Sequence, residues 1–330
     1  MELIPTPSHF VSRLAGRRIL VTGATGFLGR HLLPVLCTRY GPENVCGVSS
    51  RDFDLMDPVE VRQMFAELRP QVLIHLAAYS GGIEANRRYP ADFYYRNTLL
   101  IALLFEAAAR NGVEKLLYTM GGCAYPARAK SPIGERQMWE GYPQPESAPY
   151  STAKKMGLVA SESYRRQHGL ISTVLIPGNM YGEYDNFHLQ DSHVVPAMLR
   201  RYYEAGRSGA PQVKMWGSGT PVRDFVYAGD VAAVIPWFLE NFEETGPVNV
   251  SSGVATSIRE LAEAVAAVTG YAGEILWDTS RPDGQSVKTF DVSRLRAMGL
   301  SCPTSLPEGL QRTAAWFCAH YHDRSDGIRL

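Results

Sequence analysis

The feature that most limits how this 330-residue chain can fold is a short apolar run, RRILVT (17–22), that stops at the glycine-rich segment GATGFLG (23–29). The next residues, RHLLPVLCTRYG, have the apolar spacing of a helix and end at a glycine. A strand, a glycine turn and a helix in this order favour a dinucleotide-binding unit over an ordinary glycine-rich turn. In such a unit Gly23 permits the tight turn, Gly26 lets the backbone approach a pyrophosphate, and Gly29 lets the helix pack close to the strand.

Strand-like and helix-like segments go on alternating along the first half of the chain. After the glycine turn come NVCGV, a helix from Pro58, QVLIHLAA, a long helix after Pro90, KLLYT, a helix from Tyr150, and ISTVLI. Apolar strands separated by helices are typical of parallel sheets with both faces covered. The sequence therefore predicts an α/β fold, a Rossmann-type doubly wound parallel sheet.

The alternation loosens beyond Pro177, where QVKMW, PVNVSS and EILWD are short strands among helices. This half predicts a smaller C-terminal α/β substrate-binding domain. We expect residues 1–176 to be mainly the cofactor domain, with 1–16 as a surface arm. Residues 177–330 should be mainly the substrate domain, with some segments returning to the Rossmann core.

Composition argues against several classes of protein. The net charge is +0 and the pI is about 7.1, so neither a nucleic acid nor an acidic membrane surface is an expected partner. Apolar runs stop short of the roughly 20 residues of a membrane span, and the first residues do not resemble a signal peptide. Five cysteines without paired or metal-ligand spacing fit reduced thiols. We therefore expect a cytoplasmic protein without a metal site.

The end of the second strand, GVSSRD, indicates which dinucleotide is bound. An acidic residue at this point would bond the ribose 2′-hydroxyl of NAD. Two hydroxyls and a guanidinium, from Ser49, Ser50 and Arg51, instead suit a 2′-phosphate. NADP(H) is favoured, with NAD as the alternative because Asp52 is adjacent. Asp54 is a candidate for the adenine amino group or merely a helix cap.

A tyrosine and a lysine in YSTAK lie one helical turn apart, between the fourth and fifth strands. In that position the Lys154 ammonium can lower the pKa of the Tyr150 phenol and bond the nicotinamide ribose. The phenol can then exchange a proton with a sugar oxygen. A surface pair without function is the less favoured alternative.

Several motifs resemble those of a known superfamily across nearly the whole chain. GATGFLG, HLAA, YSTAK and GSGTPVRDFVY are similar to the extended short-chain dehydrogenase/reductase superfamily. GGIEANRRYPADF, CAYP, PGNMYGEYDNFHLQDSHVVPAMLRR and WGSGTPVRDF more specifically resemble the GDP-L-fucose synthase family, which are GDP-4-keto-6-deoxy-mannose 3,5-epimerase/4-reductases. VSSRDFDL also resembles that family's second-strand segment, which is associated with NADPH.

The resemblance implies four catalytic residues: Tyr150 and Lys154 for reduction, Cys123 as the epimerisation base and His193 as the general acid. Judged alone, Cys123 is equally well a small buried residue, and His193 a first-turn residue after a cap at Asp191 or Ser192. The implied cofactor site comprises Gly23, Thr25, Gly26, Phe27, Leu28, Gly29, Ser49, Ser50, Arg51, Asp54, Leu76, Ala77, Ala78, Thr119, Tyr150, Lys154, Pro177, Asn179 and His193. The implied substrate site comprises Gly121, Cys123, Asn179, His193, Arg201, Trp216, Arg223 and Asp283.

One position departs from the family pattern. The family's catalytic serine lies two residues before the cysteine, where this chain has Gly121. Losing one preorganised donor typically costs about 10²–10³ in rate. Thr119 is the nearest hydroxyl, but it lies two residues early. Alternatively, the glycine clears space for a bulkier substrate group, or backbone N–H groups at Gly121 and Gly122 bond the C4 oxygen.

The helix around Thr98–Ala109 is apolar almost all round, which predicts burial on two sides. A partner subunit in a homodimer is the simplest second cover, and a second layer of this chain is the alternative.

The expected activity is that of a GDP-4-keto-sugar 3,5-epimerase and/or NADPH-dependent 4-ketoreductase. Alternatives are an epimerase with little reductase activity, a GDP-mannose 3,5-epimerase-like enzyme with bound NAD, and a catalytically silent sugar-nucleotide sensor.

Overall fold

The computed structural model describes residues 12–189, 191–281, 283–322 and 328–330, so most of the predicted N-terminal arm lies outside the described residues. The strands are β1 (Ile19–Thr22), β2 (Val45–Val48), β3 (Val72–His75), β4 (Lys115–Thr119), β5 (Ile171–Pro177), β6 (Asn179–Tyr181), β7 (Gln212–Trp216), β8 (Val222–Tyr227), β9 (Pro247–Val250), β10 (Ala255–Ser257), β11 (Glu274–Asp278) and β12 (Val287–Lys288). The α-helices are α1 (Phe27–Tyr40), α2 (Pro58–Leu68), α3 (Ile83–Arg88), α4 (Pro90–Arg110), α5 (Ala148–His168), α6 (Val194–Ser208), α7 (Ala228–Asn241), α8 (Ile258–Thr269), α9 (Ser293–Ala297) and α10 (Leu306–His320).

Six strands form the main sheet in the order β2-β1-β3-β4-β5-β9, and every neighbouring pair is parallel. The chain leaves β1 toward β2 on one side and returns to β3 on the other. Such a reversal opens a crevice at the carboxyl ends of β1 and β3, where open α/β sheets bind their ligands. The predicted Rossmann-type sheet is confirmed.

Helices cover both faces of the sheet. Because side chains alternate along each strand, those of one strand are buried on both sides. Ile19 and Val21 of β1 join one apolar cluster with α1 and α7. Leu20 joins the opposite cluster, built with α2, α4 and α5. Such strands are mostly apolar, as expected where helices lie on both sides.

The later half of the chain builds a smaller α/β layer with its own core. There β7 pairs with β11, while β8 pairs with β6, β10 and β12. Helices α6, α8 and α10 pack around a third cluster that includes Tyr202, Leu261 and Phe317. Strand β9, which falls in the predicted substrate half, instead pairs with β5. It thereby covers an edge whose N–H and C=O groups would otherwise stay unpaired.

Helix α4 packs on α2 and α5, and on another of its sides some side chains are exposed within the described part of the chain. Tyr95 is 60% exposed, and Ala102 is also exposed. On the neighbouring α5, Met156 and Val159 are exposed as well. The outer faces of α4 and α5 therefore both expose apolar side chains. Within the described part of the chain, no helix is both long enough and apolar enough to cross a membrane.

Candidate active site

The glycine turn after β1 lies at the crevice and packs closely against the neighbouring backbone. Gly23 has φ +74, and a Cβ there would lie 2.8 Å from the backbone nitrogen of Ala77 after β3. A Cβ at Gly29 would lie 2.5 Å from the Ala24 carbonyl oxygen, so the helix packs directly on the turn. Helix α1 begins after Gly26 without a side-chain cap. Its first N–H groups are therefore available to a pyrophosphate.

The other predicted cofactor residues lie around the same edge of the sheet. Thr25, Phe27 and Leu28 belong to the turn and the start of α1. Three further groups follow strand ends: Leu76, Ala77 and Ala78 after β3, Thr119 closing β4, and Pro177 closing β5.

The polar turn after β2 is held by an internal carboxylate. The amide and the hydroxyl of Ser49 both donate to Asp52 Oδ2 at 2.8 Å, and the Arg51 amide donates to Ser49 Oγ at 3.3 Å. Arg51 and Ser50 are exposed or partly exposed there. Asp54 Oδ1 accepts from the Met56 amide. The N-cap of α2 is Asp57 instead, so the alternative of Asp54 as a helix cap is wrong.

Tyr150 and Lys154 lie in the first turns of α5 under the ends of β3 and β4. Lys154 is 3% exposed, and its Nζ lies 4.4 Å from the centre of the Tyr118 ring. Tyr118 in turn donates to the Lys154 carbonyl at 3.1 Å and stacks on His75. Tyr150 meets the edge of Phe93, with ring centres 5.9 Å apart. The pair is fixed by buried aromatic packing.

Burial dominates the protonation of this pair. It lowers the pKa of Lys154 to about 7, against an opposing effect of the Cys123 thiolate. It also raises the pKa of Tyr150, and the Cys123 thiolate raises that pKa further. The net shift of the Tyr150 pKa in the protein alone is therefore upward, opposite in direction to the lowering expected from Lys154. A protonated phenol is the form that can donate to a sugar oxygen.

Cys123 lies in a short turn, Gly122–Ala124, that follows β4. The Cys123 thiol lies close enough to Tyr150 and Lys154 for its charge to affect the pKa of both. A Cβ at Gly121 would lie 3.2 Å from Cys123 Sγ and 4.0 Å from Tyr150 Cε1. Position 121 therefore faces both Cys123 and Tyr150.

The second glycine of this segment is needed for packing. A Cβ at Gly122 would lie 2.9 Å from Cε1 of Phe290, whose ring fills that side. Of the two glycines, only Gly121 therefore adjoins Cys123 Sγ and Tyr150.

His193 lies at the start of α6, in the other half of the chain. It is the N-cap of that helix, without a side-chain capping bond, so the alternative of a first-turn residue after Asp191 or Ser192 is wrong. Asp185 lies close enough to His193 for their charges to interact. Burial raises the pKa of Asp185 to about 6, and the charge of His193 opposes this shift. No local sequence pattern distinguishes Asp185 from an ordinary polar residue. The loop before α3 fixes this region, because the Gly82 amide donates to the Asp191 carbonyl.

The predicted substrate residues line the smaller layer. Asn179 Nδ2 donates to the Asp224 carbonyl at 2.9 Å, and Arg223 Nη1 donates to the carbonyls of Val222 and Gln285, each at 2.8 Å. Arg201 Nη1 donates to the Lys214 carbonyl.

Trp216 closes β7 on the same layer and is 68% exposed, so its indole is not part of the core. Asp283 accepts from the amide and hydroxyl of Ser218 at 2.6 and 2.9 Å, which fixes the turn beside that indole.

Comparison with known proteins agrees with this geometry. Residues 19–251 match the NAD dependent epimerase/dehydratase family. The GDP-L-fucose synthase of Escherichia coli (strain K12) is 40% identical, over 92% of this chain and 97% of that protein. A GDP-L-fucose synthetase from Naegleria fowleri bound to NADP has a TM-score of 0.85 and 27% identity, over 94% of this chain and 97% of that one. A GDP-6-OMe-4-keto-L-xylo-heptose reductase from C. jejuni has a TM-score of 0.86 and 25% identity, over 92% and 98%.

These matches confirm the resemblance seen in the motifs, and they extend over almost the whole length of each relative. The glycine turn, the Tyr150–Lys154 pair and the nearby thiol all lie within the matched residues 19–251. The chain belongs to the NAD dependent epimerase/dehydratase family, of short-chain dehydrogenase/reductase type, and is a homologue of the GDP-L-fucose synthases.

Proposed function

We propose that the protein is an NADPH-dependent epimerase and 4-ketoreductase that acts on a GDP-4-keto sugar. One observation carries the proposal: the Cys123 thiol lies beside Tyr150 and Lys154 at the ligand-binding edge of the sheet. A base and a proton donor at one point suit a reaction in two stages. Residues 1–176 mainly hold the cofactor and 177–330 mainly the substrate, with β9 as a later segment in the main sheet.

The first stage uses the acidity that a 4-ketone gives to the hydrogens on C3 and C5. The Cys123 thiolate removes one of these protons and leaves an enolate. His193 delivers a proton to the opposite face of the same carbon, and inversion results. The two groups come from different halves of the chain, which allows them to approach the sugar from opposite sides.

The second stage is reduction at C4. When bound, NADPH supplies the hydride. Tyr150 donates its proton to the C4 oxygen, which its raised pKa permits. Lys154 holds the nicotinamide ribose and contributes positive charge near the developing oxyanion. Arg201 and Arg223 supply guanidinium groups for the diphosphate, and the exposed Trp216 offers a face for the guanine.

Proton NMR in deuterated water tests both stages, with GDP-4-keto-6-deoxy-mannose as the substrate. Without NADPH, deuterium should enter at C3, C5 or both. With NADPH, a reduced sugar should follow. Exchange without reduction would indicate an epimerase. This is the second candidate function, because Gly121 lacks the hydroxyl of the family's catalytic serine. Neither exchange nor reduction would indicate a sensor, and turnover of GDP-mannose without added cofactor would indicate a GDP-mannose 3,5-epimerase-like enzyme.

The assembly and location that we propose are a homodimer in the cytoplasm. A second copy of the chain is the simplest cover for the apolar outer faces of α4 and α5, where Tyr95, Met156 and Val159 are exposed. All five cysteines are unpaired, and a reducing compartment keeps Cys123 in the thiol form that the mechanism needs.

Cofactor preference is expected to depend on Arg51. NADPH should bind at least several-fold tighter than NADH, because the guanidinium and the nearby hydroxyls suit a 2′-phosphate. Arg51→Ala should reduce this preference by roughly tenfold, the effect of losing one charge-assisted hydrogen bond. Fluorescence titration with both cofactors measures the ratio. Arg62→Ala, an exposed arginine on α2, should leave the ratio unchanged, and equal affinities in the wild type would contradict the assignment.

Gly121→Ser is expected to shift the balance between the two stages. The new Cβ requires Cys123 Sγ to move by a few tenths of an ångström, so proton exchange should slow. The new hydroxyl lies beside Tyr150 and can donate to the C4 oxygen, so reduction should speed up by as much as about 10²-fold. Exchange by NMR and NADPH oxidation by absorbance report the two rates.

Gly141→Ser is the matched control for this change. A Cβ at Gly141 makes only an ordinary contact, 3.4 Å from Pro126, and both rates should stay unchanged. If Gly121→Ser also left both rates unchanged, position 121 would not face the reacting carbon. Loss of activity on the enzyme's own substrate, with gain on a 6-deoxy-4-keto sugar, would instead support the larger-substrate alternative.

A further inference from the structure

A lysine that the sequence motifs did not indicate points toward the reacting groups. Lys288 lies in β12, which pairs in parallel with β8 so that Lys288 is opposite Arg223. The segment continues to Phe290, which forms a bridge with Ile133. Residues two apart in an extended segment point to the same face. Lys288 therefore points to the side on which the Phe290 ring lies against Gly122, next to Cys123.

The electrostatics of Lys288 agree with this direction. Burial lowers the pKa of Lys288, the thiolate of Cys123 raises it, and Arg223 lowers it. The thiol thus lies within electrostatic reach of two ammonium groups, Lys154 from α5 and Lys288 from β12. Tyr118 and Tyr150 also interact with the thiol.

Among the described residues, the charge interactions of the Lys288 ammonium are with Cys123 and Arg223, and it makes no side-chain hydrogen bond. A partly buried ammonium without a partner costs free energy unless a bound ligand supplies one. A negatively charged or strongly polar group of the substrate is the natural partner. Two parts of a GDP-keto sugar qualify: the diphosphate and the C4 oxygen.

We propose that Lys288 binds the C4 oxygen of the keto sugar and stabilises the negative charge that develops there. This inference rests on the proposed function. The thiol takes protons from C3 and C5, the two carbons that flank C4, so a cation beside the thiol is also beside the C4 oxygen. Arg201 and Arg223 remain for the diphosphate. With glycine at position 121, Tyr150 would otherwise be the single side-chain donor to an oxygen that carries charge in both stages.

A residue with this role has a distinct kinetic signature. Negative charge forms on the C4 oxygen when a carbon proton is removed, and again when hydride reaches C4. Loss of Lys288 should therefore slow exchange and reduction together, each by roughly 10²-fold, the usual effect of removing one preorganised donor. Loss of Cys123 or Tyr150 should instead affect one stage much more than the other.

The experiment compares Lys288→Met and Lys288→Arg with the wild type, using the full chain, GDP-4-keto-6-deoxy-mannose and NADPH. Exchange is measured by NMR, hydride transfer in single turnovers at saturating substrate, and binding of GDP alone by calorimetry. Lys288→Met should lose roughly 10²-fold in both rates with GDP affinity unchanged, and Lys288→Arg should keep most of both rates. Adding Gly121→Ser to Lys288→Met should restore part of the hydride-transfer rate.

Controls separate a failed fold, a failed inference and a failed function. Lys130→Met, an exposed lysine, should behave as the wild type, and NADPH binding by each variant reports an intact fold. Weaker GDP binding with normal rates at saturation would overturn the inference in favour of a diphosphate contact. Normal rates and normal GDP binding in Lys288→Met would also overturn it. If the wild type neither exchanges nor reduces the keto sugar, the proposed function fails first.

Discussion

Replacing Cys123 with serine is expected to abolish deuterium incorporation at C3 and C5 of a GDP-4-keto sugar. A serine hydroxyl remains protonated at neutral pH, so it cannot take the place of a thiolate as the base. The loss should fall within the range of about 10²–10⁴-fold that general acid–base catalysis contributes. Serine is slightly smaller than cysteine, and the Gly122–Ala124 turn should keep its conformation. NMR in deuterated water without NADPH measures the effect directly.

The same variant should still bind NADPH as the wild type does. Hydride transfer to a 4-keto sugar that already has the inverted configuration should also continue, because Tyr150 and Lys154 are unchanged. Cys46→Ser, an exposed cysteine on β2, is the matched control and should keep full exchange. Undiminished exchange in Cys123→Ser would mean that another group is the base, and the two-stage mechanism would then need a different first step.

Local sequence signals predicted the elements of the fold well, but not all of their partners. QVKMW and EILWD were expected as strands, and β7 and β11 have these bounds. That these two strands pair with each other depends on contacts between segments far apart in the chain. The position of β9 could not be predicted for the same reason. Its apolar run fits either half of the chain, and its place depends on pairing with the edge of β5.

The candidate site also contains residues that local spacing predicts and residues that only long-range contacts place there. Tyr150 and Lys154 were predictable because helical spacing alone places them together. Lys288 approaches Cys123 only through the pairing of β12 with β8. Asp185 approaches His193 through the fold of the loop between β6 and α6. Neither residue has a local pattern that distinguishes it from an ordinary polar side chain.

The protonation of Tyr150 shows why a correct pair of residues does not fix their chemistry. From the sequence, an ammonium one turn away should favour the phenolate. In the structure both groups are buried, and desolvation disfavours the charged form of each. Which form of each group is favoured depends on how completely Tyr118 and Phe93 bury the pair. The spacing of two residues along a helix does not show this.

Tyr150→Phe is therefore expected to remove hydride transfer while sparing exchange. The variant lacks the protonated phenol that donates to the C4 oxygen, and the loss should again be about 10²–10⁴-fold. The ring and its edge contact with Phe93 remain, so the fold and NADPH binding should be preserved. Exchange at C3 and C5 should stay within a few-fold of the wild type, since Cys123, His193 and Lys288 are all present.

Single-turnover measurements of NADPH fluorescence give the hydride-transfer rate, and NMR on the same preparation gives the exchange rate. Tyr142→Phe, which removes a hydroxyl from a tyrosine that is 68% exposed, is the matched control and should change neither rate. If Tyr150→Phe and Cys123→Ser lost both activities in the same proportion, proton removal and reduction would not be separate steps. Separate losses would mean that the thiol removes a proton from C3 or C5 and that the phenol protonates the C4 oxygen in a distinct step.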